Sequence, residues 1–230
     1  MPSEHGVRLF KVEGVCNPHS PLAVATAETV RASLPEVLTR HASRVFVFAS
    51  LHARREDYSC DDGVLYVAAM FANMGLSAAY ANSALGYEID SADAACALLK
   101  YHGAPSGVLD EVWRAMALHT TPGLPARTSP LARMLAAAVR TDLFADNLGA
   151  YAYAYAYAYA YAHAERVAIL AAYPRGAGFK EKMIEAIGRG VAHRSLSTFG
   201  TLSADVLEHI NRDFHRLNFC GLILGAPWKD

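Results

Sequence analysis

Six side chains in this 230-residue chain could do acid–base or metal chemistry together. His41 opens the stretch HASR, and His52 follows eleven residues on. In a helix, eleven residues make three turns within ~20°, so both imidazoles share a face, with Arg44 one turn after His41 on nearly the same side. His102 ends the stretch KYHG-ward helix, His119 ends ALH before TTPG, and Asp142 stands in VRTDLFAD. Histidines at helix ends can converge on one cavity, where imidazole and carboxylate together would suit a divalent ion. Spacing alone carries little weight, since a lone helical histidine is more often hydrogen-bonded or exposed than metal-bound.

These residues need helices to hold them, and the sequence supplies helical signals throughout. Pro18 and Pro21 bracket the start of PLAVATAETVRASL, and a second helix is expected over Glu36 to Arg55. A third is expected from about Val64 to Met74, with Asp61 or Asp62 as N-cap and Gly75 as its stop. SADAACALLKYHG reads as a fourth, capped by Ser91 and closed by a left-handed Gly103. VLDEVWRAMALH and PLARMLAAAVR follow on either side of the loop TTPGLP. The tail reads as FKEKMIEAIG, then a Gly- and Ser-rich loop, then a last helix capped by Ser203 or Thr201. Residues 20–145 show no sustained period-two alternation, so the fold class is all-α.

One tract departs from this pattern. Tyr and Ala alternate from Ala150 to Ala162, holding six of the twelve tyrosines. Period two suggests a strand. Alanine is the best helix former, however, and AERVAILAAY continues in helical style to Pro174, so one long helix is expected. The tyrosines then form two opposed stripes, read as repeat expansion, with a cofactor or electron-transfer role or a partner surface as the alternatives.

The bulk properties exclude several function classes. Net charge is −1, with both signs interspersed, which points away from nucleic acid and anionic membranes. No apolar run reaches the ~18 residues of a membrane span. MPSEHGVRLFKVEG lacks an apolar signal-type core, and Cys16, Cys60, Cys96 and Cys220 form no CxxC pair. A cytoplasmic protein with inert, mostly buried thiols is expected.

The order of these elements resembles a known superfamily. RHASRVFVFASLHARR, DDGVLYVAAMFANMGL, YEIDSADAACALLKYHG, VWRAMALHTTPGLP and VRTDLFAD look like the HD superfamily of metal-dependent hydrolases, in its cyanamide hydratase-like branch. The resemblance covers roughly residues 20–145 and, weakly, the FK-containing tail. It implies a compact HD-like helical bundle of one domain. Residues 1–20 are then an irregular arm and residues 21–230 the helical domain. That domain divides into a core, 21–146, and the Tyr-Ala and C-terminal helices, 147–230.

The family holds one or two divalent ions, zinc, iron or manganese, with a first histidine, an adjacent His-Asp pair and a later aspartate. By resemblance the first ligand matches His41 and the later aspartate Asp142, with Asp146 as second choice. The adjacent pair falls on Ala72 and Asn73. Alanine has no donor atom, and a neutral carboxamide is a poor substitute for a carboxylate on a divalent ion. Two protein ligands remain where zinc sites use three or four. His119 or His102 could complete a rearranged set.

Arg44, Asn73 and His119 take the catalytic positions by resemblance, while Thr120, Tyr87, Glu88 and His102 line the substrate pocket. Gly86 stands where the hydratases carry an arginine. The implied activity is a hydrolase or hydratase acting on a nitrile-like molecule or a phosphate ester, impaired by the lost ligands. The alternatives are a non-catalytic helical protein that binds a small molecule in the same pocket and a purely structural or interaction protein. Expected partners are a small-molecule substrate or ligand, with a homodimer left open.

Overall fold

A computed structural model describes residues 11–12, 14–144 and 163–226 of the chain. Eleven α-helices, three 3-10 helices and one short antiparallel strand pair account for the regular structure among the described residues. The all-α expectation holds. None of these helices is long and apolar enough to cross a membrane.

The first helix, α1 (Pro21–Ser33), starts on an N-cap the sequence reading missed: the Ser20 hydroxyl accepts from Ala23 N at 3.2 Å. Helix α2 (Glu36–Arg55) has the expected bounds and is the spine of the fold. Its residues 44–53 are buried without interruption, as befits a helix enclosed on all sides. Helix α3 (Asp62–Phe71) packs on one flank of it, α7 (Pro130–Phe144) on the other, and α9 (Phe179–Val191) near its N-terminal half. Helices α4 (Tyr87–Tyr101) and α5 (Ser106–Leu118) form a pair that closes against α3 and α7. Short α6 (Pro125–Thr128) leads into α7, and α8 (His163–Ala172) touches α2. Helix α10 (Ser203–Ile210) packs on α9, and α11 (Phe219–Leu224) ends the described chain.

Several expectations are corrected. The N-terminal arm is not wholly irregular, because Lys11–Val12 pairs with Val15–Cys16 and anchors Val12 and Val15 in the core. Helix α3 stops at Phe71, three residues early, and a 3-10 turn covers Met74–Leu76. Asp61 is its cap, accepting from Val64 N at 2.9 Å. Gly75 is not a left-handed stop: a Cβ there would stand 2.2 Å from the Tyr87 carbonyl oxygen, so it is glycine for close approach of the turn to α4.

Ser91 does not cap α4, which begins four residues earlier; it is buried in mid-helix and accepts from Gly75 N at 2.9 Å. Gly103 does take positive φ. Neither Thr201 nor Ser203 caps α10, whose N-cap position is Leu202. Helix α11 was not foreseen; Asn218 caps it through Gly221 N. The thiols are not mostly buried either: Cys16 and Cys220 are exposed, Cys60 and Cys96 half-buried. Burial raises both of the latter, Cys60 to about 11, which keeps them protonated. The Tyr-Ala tract lies outside the described residues; its continuation is α8.

Candidate functional site

Where α2, α4, α5, α7, α9 and α10 meet, they enclose a cavity of about 390 Å³. That is within the range of small-molecule sites. Most of its wall is apolar. Val139 and Leu143 come from α7, while Phe179, Met183, Ile184 and Ile187 come from one face of α9 at helical spacing. Phe144, Lys180, Leu202 and Asp205 line it as well and are exposed, which marks the solvent side. A few polar groups interrupt the apolar wall: His41, Asn73, His119, Thr120, Arg140 and Ser203.

His41 is set by what stands behind it. Its Nδ1 lies 2.6 Å from Asp142 Oδ2. Arg44 clamps the same carboxylate with two bonds, Nε to Oδ1 at 2.7 Å and a terminal nitrogen to Oδ2 at 2.9 Å. Arg175 adds bonds to the Asp142 carbonyl and, at 3.3 Å, to Oδ1. All of Asp142 and Arg44 is buried. Burial pushes the Asp142 carboxyl up, but the hydrogen bonds and charges of His41 and Arg44 outweigh it and hold the group well below the usual carboxylate range. An ionised carboxylate only accepts, so His41 Nδ1 must be the donor. Nε2 is then the ring nitrogen left toward the cavity, and no described residue bonds it.

His119 is arranged in the same sense by a different element. It stands just past α5, and its Nδ1 donates to the Met116 carbonyl oxygen at 2.6 Å. Burial lowers its pKa to about 4, with smaller contributions from the charges of His41 and Arg140. The ring is neutral at pH 7, and its Nε2 is left an acceptor. Tyr87 meets it edge to face at 6.2 Å, and burial pushes the phenol well above its ordinary value. Thr120 donates to Glu88 at 2.8 Å; burial raises the Glu88 carboxyl despite that bond.

Asn73 sits at the junction of α3 and the 3-10 turn, is 6% exposed and lines the cavity. Its carboxamide makes no hydrogen bond with any described residue. Ala72 is buried and presents only a methyl group.

The sequence-nominated residues therefore separate into three groups. His41, Asn73, Tyr87, His119 and Thr120 converge on one cavity. Asp142, Arg44 and Glu88 stand behind it and act through a cavity residue. His102 is corrected: it caps α4 on the surface, exposed beside Tyr101, too far along its helix to line the pocket. Gly86 is the N-cap of α4 and lines no part of the cavity. His52 shares the buried side of α2 with His41 but does not line the cavity. Asp146 lies outside the described residues.

Sequence reasoning missed Arg140, Lys180, Ser203 and Asp205. It also missed Arg175, which follows Pro174 with no periodicity to mark it. The apolar period of α9 was the one signal that could have placed its face here.

A divalent ion does not fit this donor set. Both Asp142 oxygens are taken by His41 and Arg44, Ala72 has no donor, and Asn73 is neutral. Among the described residues no group of three or more histidine, cysteine, aspartate or glutamate side chains is arranged to hold an ion. No protein-family model matches the chain, and no curated protein does either.

Proposed function

We propose that the chain keeps the pocket of an HD-type hydrolase or hydratase and uses it to bind a small molecule, without the metal centre that would make hydroxide there. The reading is supported above all by the Asn73 carboxamide. It lines the cavity and bonds no described residue, so its donor and its acceptor are both there for a ligand to take. His119 Nε2 is an acceptor and the Asn73 amide offers both donor and acceptor, with His41 Nε2 turned to the same cavity. The complementary ligand has an apolar body of a few carbons and a head that donates and accepts, such as a primary amide or a hydroxyl. The Asp142–His41 contact fixes which nitrogen faces the ligand, in the way an orienting carboxylate fixes a tautomer.

The test is calorimetry with hexanamide and hexane as probes. Saturable 1:1 binding of hexanamide is expected, lost at least tenfold in Asn73→Leu. Equal retention of hexanamide by that variant would contradict the reading. Turnover of a nitrile or phosphate ester by metal-free protein would contradict the non-catalytic part of it.

A further inference from the structure

A second recess lies on the far side of α9, between the α1–α2 junction, the turns at residues 76–81 and the segment 175–177, with a volume of about 700 Å³. Four cationic side chains line it, Arg40, Arg175, Lys182 and Arg189, against two carboxylates, Glu36 and Glu185. The excess is therefore two positive charges, from four minus two, before His193 is counted. Arg40 is bonded to Glu36 and Arg189 to Glu185, each an exposed pair one helical turn apart. Lys182 is exposed and makes no ion pair with a described residue.

Two buried polar atoms of this wall also have no hydrogen-bond partner among the described residues: Ser77 Oγ and Arg175 Nε. Ser77 is only 6% exposed, so bulk water does not satisfy it. The rest of the wall is aliphatic, chiefly Val37, Leu38, Leu76 and Ala186.

We infer that this groove is a binding site for a soluble phosphate monoester with a short apolar body. The charge excess matches a head of −1.5 to −2, as a phosphate monoester carries at pH 7. The exposed Lys182 ammonium supplies donors to its oxygens, and the Ser77 hydroxyl reaches one of them by rotation about χ1. The aliphatic wall takes the body. The site is distinct from the cavity and does not depend on the function proposed for it. The two share one group: the guanidinium of Arg175 lies 4.9 Å from the ring centre of Phe179, which lines the cavity, and bonds Asp142.

The test uses the full chain and hexyl phosphate as the calorimetric probe. The expected result is 1:1 binding at least ~10-fold tighter than that of hexanoate. Lys182→Glu with Arg189→Glu, both exposed positions, should weaken it at least ~10-fold with the melting temperature preserved. Ser77→Ala should weaken it a few-fold, and Asn73→Leu, on the cavity side, should leave it unchanged. No binding of hexyl phosphate, equal binding of hexanoate, or indifference to the double charge reversal would each overturn the assignment. So would loss on Asn73→Leu. Phosphatidylcholine vesicles containing phosphatidic acid form a second arm: no sedimentation of the protein with them is expected, and sedimentation would overturn the soluble ligand.

Discussion

Among the described residues two buried arginine–aspartate pairs occur, and they are finished differently. In the first, Arg194 reaches from the segment after α9 under the loop between α3 and α4. Its guanidinium bonds Asp90 and the carbonyl oxygens of Leu85, Gly75 and Tyr80. Ser83 donates to the other Asp90 oxygen at 3.0 Å. Nearly every donor and acceptor is used inside the protein, and neither residue lines the cavity. In the second, Arg44 and Asp142 are equally buried, but the third member is a histidine whose far nitrogen opens on that cavity. Beside it stand His119 Nε2 and the Asn73 carboxamide, also without partners among the described residues. A closed network holds a loop, whereas an open one is shaped for something that is not part of the chain.

Breaking the closed network should have the largest effect. Arg194→Ala leaves the Asp90 charge and three carbonyls without their donor, so a loss of about 3–5 kcal/mol is expected in urea unfolding. For a chain of this size that is a fall in melting temperature of roughly 10 °C. His41→Ala should cost less, about 1–3 kcal/mol, because Arg44 still pairs Asp142. Equal losses for the two variants would erase the distinction between the networks.

Acid should sharpen the comparison from the other side. His119 and His52 are held neutral by burial, each with a pKa of about 4 against an ordinary 6.5. The unfolded chain binds protons at these sites that the folded chain does not, so stability is complete above pH ~6.5 and declines as pH falls toward ~4. Each site contributes on the order of 2–3 kcal/mol over that window. Asp142 and its depressed carboxyl add to the loss only below about pH 4. Urea midpoints measured between pH 7.5 and 4 check this, and replacing His119 by glutamine should flatten part of the slope. A midpoint that does not change across the window would contradict the neutral, buried assignment.

The smallest change is the most pointed. Asn73→Leu removes a carboxamide that bonds no described residue, so the protein should be unchanged or up to about 1 kcal/mol more stable. A buried asparagine with structural partners would instead cost stability when removed. A loss above ~2 kcal/mol would show that the amide is already satisfied.

The sequence carried the fold further than it carried the site. Helical periodicity and the caps at Asp61 and Gly103 placed most helices, with α2 correct at both ends. What it could not carry was contact between distant segments. Gly75 resembled a helix stop by its position after an apolar run, but its reason is the Tyr87 carbonyl across the turn. Ser91 resembled a cap by its residue type, but its hydroxyl is used by Gly75. His102 and His119 look alike as helix-end histidines, yet one is solvated and the other buried, because only the end of α5 faces α7 and α9. Residue type nominated His41 and Asp142 as fellow ligands. Their 2.6 Å contact instead makes the carboxylate the partner of the histidine. Arg44, one turn from His41 on the same helix, occupies the remaining oxygen, and that geometry follows from where α7 ends.

The central claim is that the polar groups of the cavity await an organic ligand and not an ion. The most direct measurement is calorimetric titration of zinc, manganese and iron(II) into protein purified without chelator, at pH 7.5, alongside elemental analysis of the same preparation. The account predicts no stoichiometric metal and no 1:1 binding tighter than about 10 μM for any of the three ions, since among the described residues no three histidine, cysteine, aspartate or glutamate side chains are arranged to hold one. One equivalent of a tightly held ion, lost together with His41 or His119 on substitution, would contradict it.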